Sequence, residues 1–160
     1  METYLTLIKE NSKKLILLAI ILLLVFLGTF FLKNYQKKLD NKVSENYIKA
    51  GIFLATNKKE DSKKMFVSVV ESQHNFYSGL ALNSIIENKL ETNNDEVLRL
   101  FEIVEQSIES KEQKDLVKFK KALFFFKASK KDAGTKLLIE IIDSNSIWKE
   151  AASETLKSNK

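Results

Sequence analysis

Proline is absent from this chain, and only four glycines occur in its 160 residues. With backbone breakers so scarce and Leu, Lys, Glu, Ile and Ala plentiful, the composition predicts an all-α fold with short turns. Strand signals are nearly absent. Cysteine is also absent, which excludes disulfides and thiolate metal sites and is compatible with an oxidising compartment without requiring one. The single histidine, His74, forms a Glu71-x-x-His74 pair at one-face helical spacing, but di-iron bundles need two such pairs plus further carboxylates. His74 therefore reads as a loop residue between helices, with no motif placing it beside a nucleophile. Gly28, Gly51, Gly79 and Gly134 are too scattered for a phosphate-cradling loop. Glu102, Glu105 and Glu109 follow helical spacing opposite the apolar stripe and read as solvated surface. No catalytic residue, cofactor or metal site is expected.

Arginine is nearly missing as well. Of the 26 basic residues only Arg99 is not lysine, and the lysines are interspersed with Asp and Glu. The net charge of +5 thus describes solvated helix faces. It lacks the clustered arginine and interleaved aromatics of a nucleic-acid surface, and no nucleic acid is expected as a partner.

The chain does have a long uncharged run. Leu15 to Leu32 reads LILLAIILLLVFLGTFFL, with nothing more polar than Thr29. At roughly 1.5 Å per residue it spans about 27 Å, close to the thickness of a bilayer's hydrocarbon core. A soluble core helix would need partner surface on every side, which the charged remainder does not supply. The run also exceeds a signal-peptide core, and Lys33-Asn34-Tyr35-Gln36 offers no small-x-small cleavage pattern. An uncleaved membrane anchor is expected, bounded by Leu15 and Leu32. Residues 1–14 form a short segment before it, suited to an interfacial helix, and residues 34–160 form one soluble domain after it. Lys13 and Lys14 on one side face Lys33, Lys37, Lys38 and Lys42 on the other, so positive charge does not choose the orientation.

After the anchor, Leu39, Val43, Tyr47, Ala50, Phe53 and Leu54 place an apolar stripe on a long helix. A coiled-coil dimer through Leu39 and Val43 is the rival reading, although Lys42 and Asn46 interrupt its heptads. Further on, an internal repeat emerges. Met65–Ser72, Leu100–Ser107 and Leu137–Ser144 superimpose at offsets of 35 and 37 residues, aligning Phe66, Phe101 and Leu138, and Val69, Val104 and Ile141. The same offsets align Tyr47, Leu82 and Phe119, and Ala50, Ile85 and Ala122. Polar turns at 57–61, 92–95 and 129–132 divide each unit into two helices, and their Asn, Asp and Ser residues are expected to cap the second helix of each pair. Helix pairs are predicted at 40–56 with 60–72, 75–91 with 94–108, and 112–129 with 132–144, followed by a half-unit at 146–157. About three and a half pairs of this length predict a tetratricopeptide-like α-solenoid.

A short Lys-flanked N-terminus, one anchor, a Tyr- and Ala-containing helix, then helix pairs ending in Trp148-Lys149-Glu150-Ala151-Ala152 form a layout that covers nearly the whole chain. It resembles the bacterial membrane-anchored tetratricopeptide-like proteins related to the ancillary subunit of the SecYEG translocon. The standard Trp-x-x-Leu-Gly-x-x-Tyr signature and closing Pro are absent, while Ala50, Ala81, Ala122 and Gly79 offer small packing positions. The resemblance implies a cytoplasmic N-terminus in the bacterial inner membrane and a periplasmic helical domain. It also implies association with the translocon, with periplasmic chaperones or with emerging client chains.

Two aromatic features are candidate partner-binding elements. Phe124-Phe125-Phe126 wraps around most of a helix, because successive residues are displaced by about 100°. Burial of that helix in the middle of the stack, covered on two sides, is the favoured account. Trp148 is either a partner contact or a packing residue of the terminal cap. The expected function is a membrane-anchored protein interaction module, a scaffold or chaperone-like accessory at the export translocon. The alternative is a homodimeric structural component of an envelope complex.

Overall fold

The computed structural model describes residues 12–159. Residues 1–11 of the expected interfacial segment lie outside the described residues, and so do the side chains of the anchor bounds Leu15 and Leu32. Among the described residues all regular structure is helical, in seven helices: α1 (Ser12–Ala55), α2 (Lys59–Glu71), α3 (Tyr77–Glu87), α4 (Asn94–Ser107), α5 (Lys111–Lys127), α6 (Lys131–Asp143) and α7 (Lys149–Ser158). The chain divides into two compact units, 1–42 and 43–160.

Helix α1 is long and apolar enough, over Ile20–Ala55, to cross a membrane. Every side chain from Ile20 to Phe31 is exposed. The one hydroxyl in this stretch, on Thr29, donates to the Phe26 carbonyl at 2.9 Å, so no polar group there asks for water.

In the second unit each of α2 to α6 packs on the helix that follows, and α2 also packs on α4. The repeat seen in the sequence recurs in atomic detail. Ser72, Ser107 and Ser144 each donate a hydroxyl hydrogen bond to the carbonyl three residues back, on Val69, Val104 and Ile141. Those three acceptor residues are buried, as are Phe66, Phe101 and Leu138 one turn earlier and Ala50, Ile85 and Ala122 on the preceding helices.

The first and third helix pairs meet where side chains are small. Ser62, at the start of α2, is buried and donates to the Ala50 carbonyl at 2.9 Å. Two repeats on, Gly134 holds the Ser62 position and Ala122 that of Ala50; a Cβ on Gly134 would stand 3.0 Å from the Ala122 carbonyl oxygen. The middle pair has Val97 and Ile85 there, so its two helices are spaced by larger buried side chains.

Helix stops are made without glycine or proline. Asn57, Gln73, Lys89, Ser129 and Asn145 all have φ between 50° and 61°. After α1, α3 and α5 this left-handed residue carries the paired backbone bonds of a Schellman motif, such as Ser129 N–H to Phe126 O and Lys130 N–H to Phe125 O. The expected caps are corrected here. Asn93 does cap α4, accepting from the Asp95 and Glu96 N–H groups. Asn57 and Ser129 instead terminate the preceding helices, and the N-cap positions of α2 and α6 are Lys58 and Lys130, which make no side-chain cap bond.

The interior forms two clusters. The larger runs from Ala50 through α2, α3 and α4 to Val117, while the smaller joins Ala122, Leu138, Ile141 and Ala152 under Phe119, Phe126 and Trp148. Helix α5 contributes to both, and so carries apolar residues around most of its circumference.

Candidate functional site

Helices α3 and α5 hold the same place in successive repeats, and their equivalent faces leave a groove between them. It consists of three adjoining clefts of about 160, 240 and 340 Å³. The first and second share Asn83 and Lys120; the second and third share Ile86, Phe124 and Lys127. The floor of the first cleft is apolar, made by the buried residues Leu82, Phe101, Val104 and Val117. Phe76 stands at its rim, 61% exposed despite its size. Gly79 lines the same cleft, where its missing side chain leaves space beside Val104.

Repeat register explains why these residues meet. Asn83 and Lys120 are one repeat apart, and the Lys120 ammonium donates to the Asn83 amide oxygen at 3.1 Å. Phe76 and Gln113, Gly79 and Leu116, and Glu87 and Phe124 pair by the same offset. Lys120 is only partly exposed, and burial pushes its amine below the ordinary value of 10.5, an effect that Glu87 partly opposes. Its neighbour Lys121 points elsewhere and pairs with Glu105 at 3.4 Å. At the far end, Glu91 is a satisfied carboxylate. It pairs with Lys63 at 2.7 Å and accepts the Thr92 and Asn93 N–H groups, first Lys63 and then the backbone holding its pKa below the ordinary value.

The residues singled out in the sequence fall in different places. Phe124 is half-buried, stacks obliquely on Phe101 with centroids 5.9 Å apart, and lines the second and third clefts. Phe126 turns to the smaller core and touches the Gly134 position, while Phe125, half-buried, belongs to neither buried cluster. Trp148 stacks on Phe119 at 6.2 Å, and its indole N–H donates to the Glu112 carbonyl, which ties the cap to α5. Leu39 is 45% exposed in the first unit, and Val43 packs against the larger core of the second. His74 is a loop residue whose Nδ1 accepts from the Phe76 and Tyr77 N–H groups at the start of α3, and Glu71 is engaged with Arg99.

Sequence reasoning missed Phe76, Asn83, Leu116 and Lys120. The signal was present: Asn83 and Lys120 are polar residues at one repeat position. Comparison of the chain with protein-family models, with curated proteins and with solved structures finds no match.

Proposed function

We propose that this protein is a membrane-anchored protein interaction module, a tetratricopeptide-like α-solenoid that engages partner polypeptides through the α3–α5 groove. The carrying observation is the groove itself: equivalent faces of two repeat helices enclose an apolar floor with a polar rim, the form in which stacked helix pairs bind extended or helical segments. Helix α1 supports membrane anchoring, since Ile20 to Phe31 is exposed throughout and apolar apart from Thr29, whose hydroxyl is bonded within the helix. In this reading the domain lies on the periplasmic side of the bacterial inner membrane and serves as a scaffold or chaperone-like accessory at the SecYEG translocon.

The test is crosslinking of the tagged full-length protein in its native membranes, with a photoreactive residue at Leu116 in the groove. Translocon subunits, periplasmic chaperones or emerging envelope chains joined to that position are the expected products. Products confined to cytoplasmic proteins would reverse the topology, and no heterologous product would remove the interaction reading. The alternative, a homodimer formed through the post-anchor helix, draws support from Leu39 in the first unit and from Ile48 and Ile52 in the second, the latter pair 60% and 56% exposed. Concentration-dependent self-association weakened by Leu39→Asp or Ile48→Asp is its signature.

A further inference from the structure

An ammonium group removed from water is costly unless an anion or several acceptors replace its hydration. Among the described residues Lys120 has one neutral acceptor, the Asn83 amide oxygen, and no carboxylate within ion-pairing distance; Glu87 acts on it only through space. Of the other lysines on α5, Lys121 pairs with Glu105 and Lys118 with Glu140, while Lys111, Lys114 and Lys127 are exposed to solvent. Lys120, partly buried, lies where the first two clefts join, the second of which also carries Glu87. On one side are Phe76, Leu80 and Leu116, and on the other Ile86, Leu123 and Phe124.

We propose that the α3–α5 groove selects a peptide segment in which an Asp or Glu is flanked on both sides by apolar side chains, with the carboxylate seated on Lys120. The inference rests on the interaction-module reading and names its ligand class. An internal side-chain carboxylate is favoured over a chain terminus because the groove continues past Lys120 in both directions. A terminal carboxylate seated there would leave one apolar cleft empty. Asn83 adds specificity, since its amide oxygen fixes the ammonium and its NH₂ group is a further donor on the same side chain. Lys127, in the second and third clefts, adds positive charge along the path.

The test uses full-length protein in detergent micelles. A phage-displayed dodecapeptide library is panned on it, and enriched sequences are synthesised with a fluorophore for anisotropy. Enriched peptides are expected to share an apolar–acidic–apolar pattern, and Asp→Asn or Glu→Gln in the peptide should weaken binding about tenfold or more, as loss of a charge-assisted hydrogen bond does. Lys120→Gln should abolish that discrimination, whereas Lys118→Gln, on the face that meets α6, should preserve it. Circular dichroism of each variant checks the fold. Leu116→Glu, which places an anion in the groove, should abolish binding altogether.

Enrichment of purely apolar peptides indifferent to Lys120→Gln would overturn the carboxylate inference and leave the interaction reading standing. Dependence on a free C-terminus, seen by comparing acid and amide forms of one peptide, would overturn the internal placement. Failure to enrich any peptide would overturn the inference. The crosslinking at Leu116 reports independently on whether the module reading fails with it.

Discussion

At Ser62 and Gly134 a single atom decides how closely two helices approach. Ser62 turns its hydroxyl into a hydrogen bond with the Ala50 carbonyl, while Gly134 lets α6 rest on the Ala122 carbonyl and the Phe126 ring with nothing between. A methyl group at Gly134 would stand 3.1 Å from two Phe126 ring carbons as well as 3.0 Å from the carbonyl oxygen. Gly134→Ala gains about 1 kcal/mol of helix propensity and loses about 1–3 kcal/mol to overpacking, so a net destabilisation of up to about 2 kcal/mol is expected. Gly51→Ala is the control. It sits inside α1 with no atom near its missing Cβ, so it should stabilise by about 0.5–1 kcal/mol. Thermal unfolding of the two variants in micelles, followed by circular dichroism, should shift in opposite directions.

Glu91 permits a pH prediction at the same scale. Its folded pKa is depressed, first by Lys63 and then by backbone N–H groups, so the stability it contributes is present above its ordinary value of 4.5 and lost as pH falls through the lower folded value. Lys63 is raised by the same pair, so its share is complete below 10.5 and disappears only at more alkaline pH. Glu91→Gln keeps an acceptor for Thr92 and Asn93 and removes the charge. It should cost about 1–2 kcal/mol at pH 7, and the gap from the parent protein should close at pH 2–3. A gap of equal size at both pH values would show that charge is not what Glu91 supplies.

Among the elements, α5 shows how far the sequence could be read. Helix positions were legible because the apolar register repeats: the predicted 112–129 and 132–144 became Lys111–Lys127 and Lys131–Asp143. The stops between them were legible only as polar turns. Ser129 and Lys89 adopt the left-handed conformation that glycine would adopt more readily, and nothing in their identity announces it. The groove was hidden because it depends on which faces of α3 and α5 remain uncovered, a property of packing across 37 residues and not of either helix alone. The Phe run was ambiguous for the same reason. Two positions apart on a helix is about 200°, so Phe124 and Phe126 serve opposite cores. Phe126→Ala should cost about 3–5 kcal/mol and leave peptide binding in the groove intact. Phe124→Ala should lower both stability and binding, because that ring joins the larger core and also lines two clefts. Unfolding and anisotropy measured on both variants separate the two roles.

For the whole helical unit, stability should be graded along the stack, because each helix pair relies on its neighbours for burial. The larger cluster draws fully buried residues from several helices, whereas the smaller rests on Ala122, Leu138, Ile141 and Ala152 and is closed by Trp148. Amide exchange in full-length protein should therefore show α2 to α4 opening at higher free energy than α6 and α7, with α5 divided between them. Trp148→Ala removes both the stack on Phe119 and the N–H bond to the Glu112 carbonyl, and it should cost about 3–5 kcal/mol within the smaller cluster. Protection should then fall in α6, α7 and the Phe119–Phe126 side of α5 while α2 to α4 keep theirs. Uniform loss across all helices would instead mean that the two clusters unfold as one cooperative unit, with the terminal cap holding the stack as far as Ala50.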